Sequence, residues 1–306
     1  MVQAHRIKTV AIVGCTAVGK SDTALKLARD LDGELIGADS MQIYRGFDIG
    51  TGKLTKEECG GIKHRLIDII DGDREFSVGE YVNIASAAIS EISANGKLPI
   101  IVGGTGLYVY SLLSGCNFAN TPKNNDVRNS LKAAAHFLGA NAMHRLLSAS
   151  DRVSAEKISV NDVKRVIRAL EIYAVSGEPK SVGSELSVEK PYDDLTVVLT
   201  LPRDMLYEKI NRRVKKMFDD GLIEETLSLI KYKDHQSMQA LGYKQIAADP
   251  QMTREELEVI VAQKTRNYAK RQMTYFNNMK LNKVFLDARD YSKVKNHVEK
   301  FLGDGV

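Results

Sequence analysis

The chain has little cysteine, no long apolar run and no strong excess of one charge, and each shortage removes a class of protein. Three cysteines, Cys15, Cys59 and Cys116, are scattered through 306 residues. An odd, dispersed set argues against a disulfide framework and for a reducing compartment, so a cytoplasmic location is expected. No apolar stretch approaches the ~20 residues of a membrane span. Residues 1–8 are polar and lead directly into a strand pattern, unlike a secretion signal. The six histidines include no pair at metal-ligand spacing, which disfavours a structural zinc site. Internal repeats and low-complexity linkers are also missing.

What remains is the composition of an ordinary globular protein, long enough for one large domain or two smaller ones. The net charge of +4 says little, but its distribution says more. Lys209, Arg212, Arg213, Lys215 and Lys216 form one cluster, and Lys264, Arg266, Lys270 and Arg271 form another. Interleaved with Tyr268, Tyr275 and Phe276, these clustered cations suit an RNA-binding face. On charge alone a solvated helix surface explains them equally well.

Residues 9–13 are apolar and rich in β-branched side chains, the pattern of a buried parallel strand. Residues 21–30 follow with helical spacing, and Gly33 is expected to close the turn. A second strand is expected at 35–38 and a third at 99–102. Between them Ser77 and Glu80 have the spacing of a capping box, and Gly96 stands where the following helix should stop. Strand, helix and strand in this order predict a doubly wound parallel sheet with ligand loops at the carboxyl ends of its strands. From 116 to 187 the chain reads as polar and helical. Strands return at 195–201 and 284–286, with a helix over 264–280. The expected organisation is an α/β core of residues 1–115 and 188–306, interrupted by a helical insertion domain at 116–187.

Between the first strand and helix lie Gly14, Cys15, Thr16, Ala17, Val18, Gly19, Lys20 and Ser21, a full match to G-x-x-x-x-G-K-[ST]. Backbone amides of such a P-loop point at a phosphate, and the helix N-terminus adds its positive end. Lys20 supplies a cation and the Ser21 hydroxyl a ligand for magnesium. A nucleotide-hydrolysing enzyme usually places an acidic residue at the end of a neighbouring strand. Here the strand at 99–102 ends instead in Gly103-Gly104-Thr105-Gly106. Asp39 follows the second strand, where its carboxylate either takes a proton from an attacking group or caps the next helix.

Joined in order, these segments resemble the tRNA dimethylallyltransferase family. The similarity rests on the P-loop, on Asp39-Ser40-Met41-Gln42-Ile43-Tyr44-Arg45-Gly46, on Asp48-Ile49-Gly50-Thr51 and on Val102-Gly103-Gly104-Thr105-Gly106-Leu107-Tyr108. It continues through Asn161-Asp162, Lys164-Arg165-Val166-Ile167-Arg168-Ala169-Leu170-Glu171, Gly221-Leu222-Ile223-Glu224-Glu225, Leu241-Gly242-Tyr243-Lys244 and Tyr268-Ala269-Lys270-Arg271-Gln272. The resemblance implies transfer of a dimethylallyl group from dimethylallyl diphosphate to the exocyclic amine of the adenine 3′ of the tRNA anticodon. It implies Asp39 as proton acceptor and Thr105 at the channel where base and donor meet. Residues 14–21, with Lys20 and a Ser21-held Mg2+, would grip the diphosphate, assisted by Arg213 and Lys209. The family more often has arginine at 209, so bidentate contact is not expected there.

The same resemblance assigns the flipped adenine to Asp39, Ser40, Met41, Gln42 and Thr105. Further tRNA contacts fall to Arg128, to Lys164, Arg165, Val166, Ile167 and Arg168, to Gly242, Tyr243 and Lys244, and to Lys270 and Arg271. Tyr275 stands where tryptophan is usual, and Gln239 where arginine is frequent. Helical spacing assigns Ala269, Met273 and Phe276 to the core. Nothing in this reading requires more than a monomer or a membrane. Three other readings stand beside it: a P-loop kinase of a small metabolite, a prenyltransferase acting on free adenine nucleotides, and a non-catalytic RNA-binding protein.

Overall fold

The computed structural model describes residues 6–115, 124–183, 190–249 and 251–303. Six strands form its sheet: β1 (Lys8–Gly14), β2 (Gly33–Gly37), β3 (His64–Arg65), β4 (Leu98–Gly103), β5 (Asp193–Thr200) and β6 (Lys283–Asp287). Their spatial order is β3-β2-β4-β1-β5-β6, and every pairing is parallel. β1 lies centrally, with Ile12 opposite Val102 on one side and Val197 on the other. Val10, Ala11, Ile12 and Val13 are fully buried, as a strand covered on both faces requires. β3, only two residues long, leaves no periodic trace in the sequence.

Along the chain the core helices are α1 (Lys20–Asp30), α2 (Lys56–Cys59), α3 (Val78–Ala94) and α4 (Gly106–Leu113). Both halves of the Ser77–Glu80 capping box form, and Gly96 takes a φ of +74° just past α3. Gly33 does not make the turn expected of it. Asp32 takes the positive φ, +46°, and Gly33 already lies in β2, where a Cβ would sit 2.7 Å from Ile100 Cδ1. Close strand approach, with the Leu98 carbonyl 3.0 Å from that position, is what favours glycine there. The connection from β1 runs past β4 to β2, and that from β4 runs past β1 to β5. These opposite directions open a crevice at the carboxyl ends of β1 and β4, where ligands bind in sheets of this kind.

The chain divides into two compact units, Met1–Leu113 with Lys190–Val306, and Ser114–Glu189. The second holds α5 (Asn125–Ser150), α6 (Arg152–Lys157), α7 (Val163–Ser176) and α8 (Lys180–Gly183), with no strand among its described residues. α5 breaks at Gly139, whose φ of +77° few other residues tolerate. Met143, Leu147, Ile158, Val166, Ile167 and Leu170 make this unit's own core.

Back in the first unit follow α9 (Arg203–Asp219), α10 (Leu222–Ser228), α11 (Tyr243–Ala248), α12 (Arg254–Asn278) and α13 (Tyr291–Gly303). α9 buries Leu206, Ile210, Val214 and Phe218 at four-residue spacing, so its cations lie on the remaining faces. α12 starts ten residues before the expected 264, at a capping box between Thr253 and Glu256. Ala269 and Phe276 are buried as their spacing implies, while Met273 packs on the core half-exposed. Among the described residues no helix is long and apolar enough to cross a membrane. Cys15 and Cys59 are free thiols; Cys116 lies outside the described residues.

Candidate active site

Three loops meet at the carboxyl edge of the sheet. The first, after β1, bends through Gly14 at φ +149°, Ala17 at +63° and Gly19 at +108°, and Gly19 opens α1. A Cβ on Gly14 would stand 2.7 Å from the Leu199 carbonyl, so β5 presses directly on the loop. Lys20 Nζ reaches back across the loop and donates to the Cys15 carbonyl at 2.8 Å. The residue keeps some exposed surface, but protein surrounds its ammonium. Burial pulls its pKa down to about 8, against the opposing pull of Cys15 and Asp39.

The second loop carries Asp39, whose Oδ1 accepts from the Met41 amide at 2.9 Å. No helix follows within reach: residues 40–43 form turns, so capping is not the task of this carboxylate. The third loop leaves β4 at Gly103, where a Cβ would collide with the Ala38 backbone. This contact lets the Thr105 amide donate to the Ala38 carbonyl at 3.0 Å. Thr105 Oγ1 in turn accepts from the Ser40 amide at 3.0 Å. Thr105 therefore locks the Asp39 loop to the end of β4.

A residue not singled out from sequence joins the first and third loops. Gln272 of α12, buried, accepts from the Thr16 amide at 2.9 Å and donates to the Gly104 carbonyl at 2.8 Å. A polar residue among the apolar positions of an amphipathic helix is the signal that marks it. Arg213 of α9 donates to the Thr51 carbonyl at 3.1 Å, and Gln42 Nε2 to the same oxygen at 3.1 Å. Gly52, at φ +61°, lies so near the Arg213 guanidinium that any Cβ would strike it. Burial lowers the Arg213 pKa, and the Asp39 charge partly restores it.

Some of these groups, Thr16, Asp39 and Arg213 among them, line a cavity of about 330 Å³. Thr16, Asp39, Arg213, Tyr268 and Arg271 give it a polar side; Val214, Met217, Leu241 and Val261 are apolar. On α12, Gln272, which grips the phosphate loop, is eleven residues from Val261, about 16 Å at 1.5 Å per residue, whereas on α9 polar Arg213 and apolar Val214 are neighbours. Lys209 stands one turn before Arg213, and neither it nor Thr105 nor Lys20 is among the residues that line the cavity.

The other positions expected to touch tRNA are less uniform. Lys244, Lys270 and Arg271 are exposed, and the Arg271 guanidinium lies 5.6 Å above the Tyr268 ring. Tyr243 is fully enclosed: its hydroxyl accepts from the Gly50 amide at 3.0 Å and donates to Glu225. Gly242 is buried beside it. In the second unit Lys164 and Arg165 are exposed, whereas Val166 and Ile167 point into the core. Tyr243, Val166 and Ile167 bury their side chains, so what these positions can offer RNA is backbone. Arg128 and Arg168 both bind the buried carboxylate of Glu171, at 2.8 and 3.1 Å. Tyr275 packs its ring against Gly106, and Gln239 lines the cavity.

Comparison with known proteins follows the same outline. The family model described as IPP transferase matches residues 42–279. The chain belongs to this family. Among IPP transferases, the tRNA dimethylallyltransferase of Halalkalibacterium halodurans is 43% identical over 298 residues, covering 95% of each chain. That of Thermoanaerobacter sp. is 41% identical, covering 97% of this chain and 98% of the relative. In solved structures, the full-length tRNA isopentenylpyrophosphate transferase of Bacillus halodurans superposes with a TM-score of 0.73 at 41% identity, covering 98% of both chains. A eukaryotic dimethylallyltransferase acting on tRNA gives 0.82 at 27% identity, over 96% of this chain and 77% of its own. The family's P-loop-type α/β architecture is therefore the one found here.

Proposed function

We infer that this IPP transferase moves a dimethylallyl group from dimethylallyl diphosphate to N6 of the adenine 3′ of the anticodon in tRNA. The observation that carries the reading is one cavity bordered by the phosphate loop, by the Asp39 carboxylate and by an apolar wall. A diphosphate needs the amides and the cation of the first. A five-carbon hydrocarbon needs the third, and a neutral amine turning into a nucleophile needs the second.

Loop amides 14–21, Lys20 and Arg213 draw charge onto the leaving diphosphate, while Lys209 stands one turn farther out. Asp39 accepts the N6 proton during attack, held in position by the Met41 amide. Thr105, Ser40, Met41 and Gln42 frame the entry of the flipped base, and the bound base and donor together exclude water from the allylic centre. Ser21 offers one hydroxyl at the head of α1, and no group of three acidic, histidine or cysteine ligands exists among the described residues. That donor set fits Mg2+, which takes few protein ligands and completes its shell with phosphate oxygens and water. When bound, it neutralises charge on the diphosphate.

Exposed Lys164, Arg165, Lys244, Lys270 and Arg271 serve as phosphate contacts for the anticodon stem-loop, with Arg128 and Arg168 as a Glu171-anchored pair. The helical insertion domain contributes its share of these. The same reading has the enzyme working as a monomer in the cytoplasm, where its tRNA substrate is found. A small-metabolite kinase has no use for the apolar wall, and a free-nucleotide prenyltransferase none for the exposed cations. Mass analysis of tRNA after incubation with dimethylallyl diphosphate is the test. One dimethylallyl group in place of hydrogen on the anticodon-loop adenine is expected; ATP turnover without prenylation of tRNA would overturn the reading.

A further inference from the structure

Tyr268 is a cavity residue with no role in the scheme above. Its ring is half-buried on α12, flanked on one face by the Arg271 guanidinium at 5.6 Å. One helical turn later comes Gln272, whose amide is engaged by the active-site loops: Oε1 accepts from the Thr16 amide and Nε2 donates to the Gly104 carbonyl. Tyr268 therefore stands one turn from the residue that grips the phosphate loop, and it lines the same cavity as Thr16 and Asp39. Burial and the Asp39 charge hold the phenol protonated, so it borders the cavity as a donor.

We propose that Tyr268 donates a hydrogen bond to the departing diphosphate. The inference rests on the prenyl-transfer reading. In that reaction the N6 lone pair forms the bond to C1 of the allyl group. The C1–O bond breaks, its electron pair passes to the bridging oxygen, and the N6 proton goes to Asp39. Tyr268 keeps its proton throughout. Its bond strengthens as negative charge grows on the diphosphate, which is the condition for a donor to accelerate a step. Thr16, a phosphate-loop residue, lines the same cavity and is tied to Gln272, so the helix that carries the donor also grips the loop. Asp39 is the competing acceptor, but its Oδ1 already accepts from Met41, and a second donor would weaken it as a base.

Tyr268→Phe, which keeps the ring under Arg271, is the test. Turnover should fall by ~10²-fold, the usual scale for one lost donor to a developing oxyanion. Affinity for inorganic diphosphate should weaken by about tenfold, as for one hydrogen bond to a charged group, and KM for tRNA should stay unchanged. Unaltered turnover overturns the proposal. So does unaltered diphosphate affinity with the acid limb of the pH–rate profile displaced, which would assign the phenol to Asp39. A rise in tRNA KM alone would make the ring a stacking surface for a base, again against the proposal. Wild-type protein assayed alongside separates the two failures: no transfer by wild type rejects the prenyl-transfer reading itself, whereas transfer by both proteins at one rate rejects only the role of Tyr268.

Discussion

Lys20 should take up a proton when the donor binds, and the amount is set by pH. Burial lowers its pKa from 10.5 to about 8. The cation is therefore lost as pH rises through about 8, well before an ordinary lysine would lose it. A diphosphate beside the ammonium restores the charged form. Near pH 7 the lysine is about nine-tenths protonated, so binding takes up about a tenth of a proton; near pH 8 the uptake is about half a proton. Isothermal titration with dimethylallyl thiodiphosphate, a slow-reacting donor, in buffers of different ionisation enthalpy reads this number directly. The sign for stability is opposite to that for affinity. Between about pH 8 and 10.5 the unfolded chain holds more protons than the folded one, so the unliganded protein gains stability with rising pH. The full gain is about 3 kcal/mol, at about 1.4 kcal/mol per decade, as an upper bound for a residue that keeps some surface. Lys20→Met should abolish the uptake. Proton uptake near zero at pH 8 in the wild type, or equal uptake in the methionine variant, would refute the account of Lys20 as a buried, ligand-charged cation.

Asp39→Ala should lower prenyl transfer by ~10²-fold or more, the scale for losing a positioned base, with filter-binding affinity for tRNA nearly unchanged. Gly103→Ala forces a Cβ into the Ala38 backbone, so overpacking should cost about 1–3 kcal/mol in denaturant unfolding and release the Asp39 loop. Glu171→Ala leaves two guanidinium groups of the second unit without their carboxylate. Because both arginines reach solvent, the loss should be about 2–3 kcal/mol, below the full cost of breaking a buried pair. Chemical denaturation of that variant checks it, and stability within error of wild type would show that Arg128 and Arg168 do not depend on Glu171.

The sequence alone determined everything whose information is local. A G-x-x-x-x-G-K-[ST] turn fixes its own dihedrals, a buried parallel strand must be continuously apolar, and a Ser-x-x-Glu pair satisfies the amides of one helix end. These rules located β1, α1, α3 and β4, and family motifs named Asp39, Thr105 and Arg213. The limits were local too. β3 is too short for any period, and Gly33 reads as a turn until Ile100 of a distant strand is brought beside it. Tyr243, Val166 and Ile167 stand next to exposed cations in the chain, yet face inward, because helix periodicity turns neighbours to opposite sides. Only the tertiary structure decided what holds the phosphate loop and the base together. Gln272 reaches Thr16 across 256 residues of chain and Gly104 across 168, and Arg213 reaches Thr51 across 162. Such contacts are made by side chains whose partners are set by the packing of α9 and α12 against the sheet, and no spacing in the sequence encodes them.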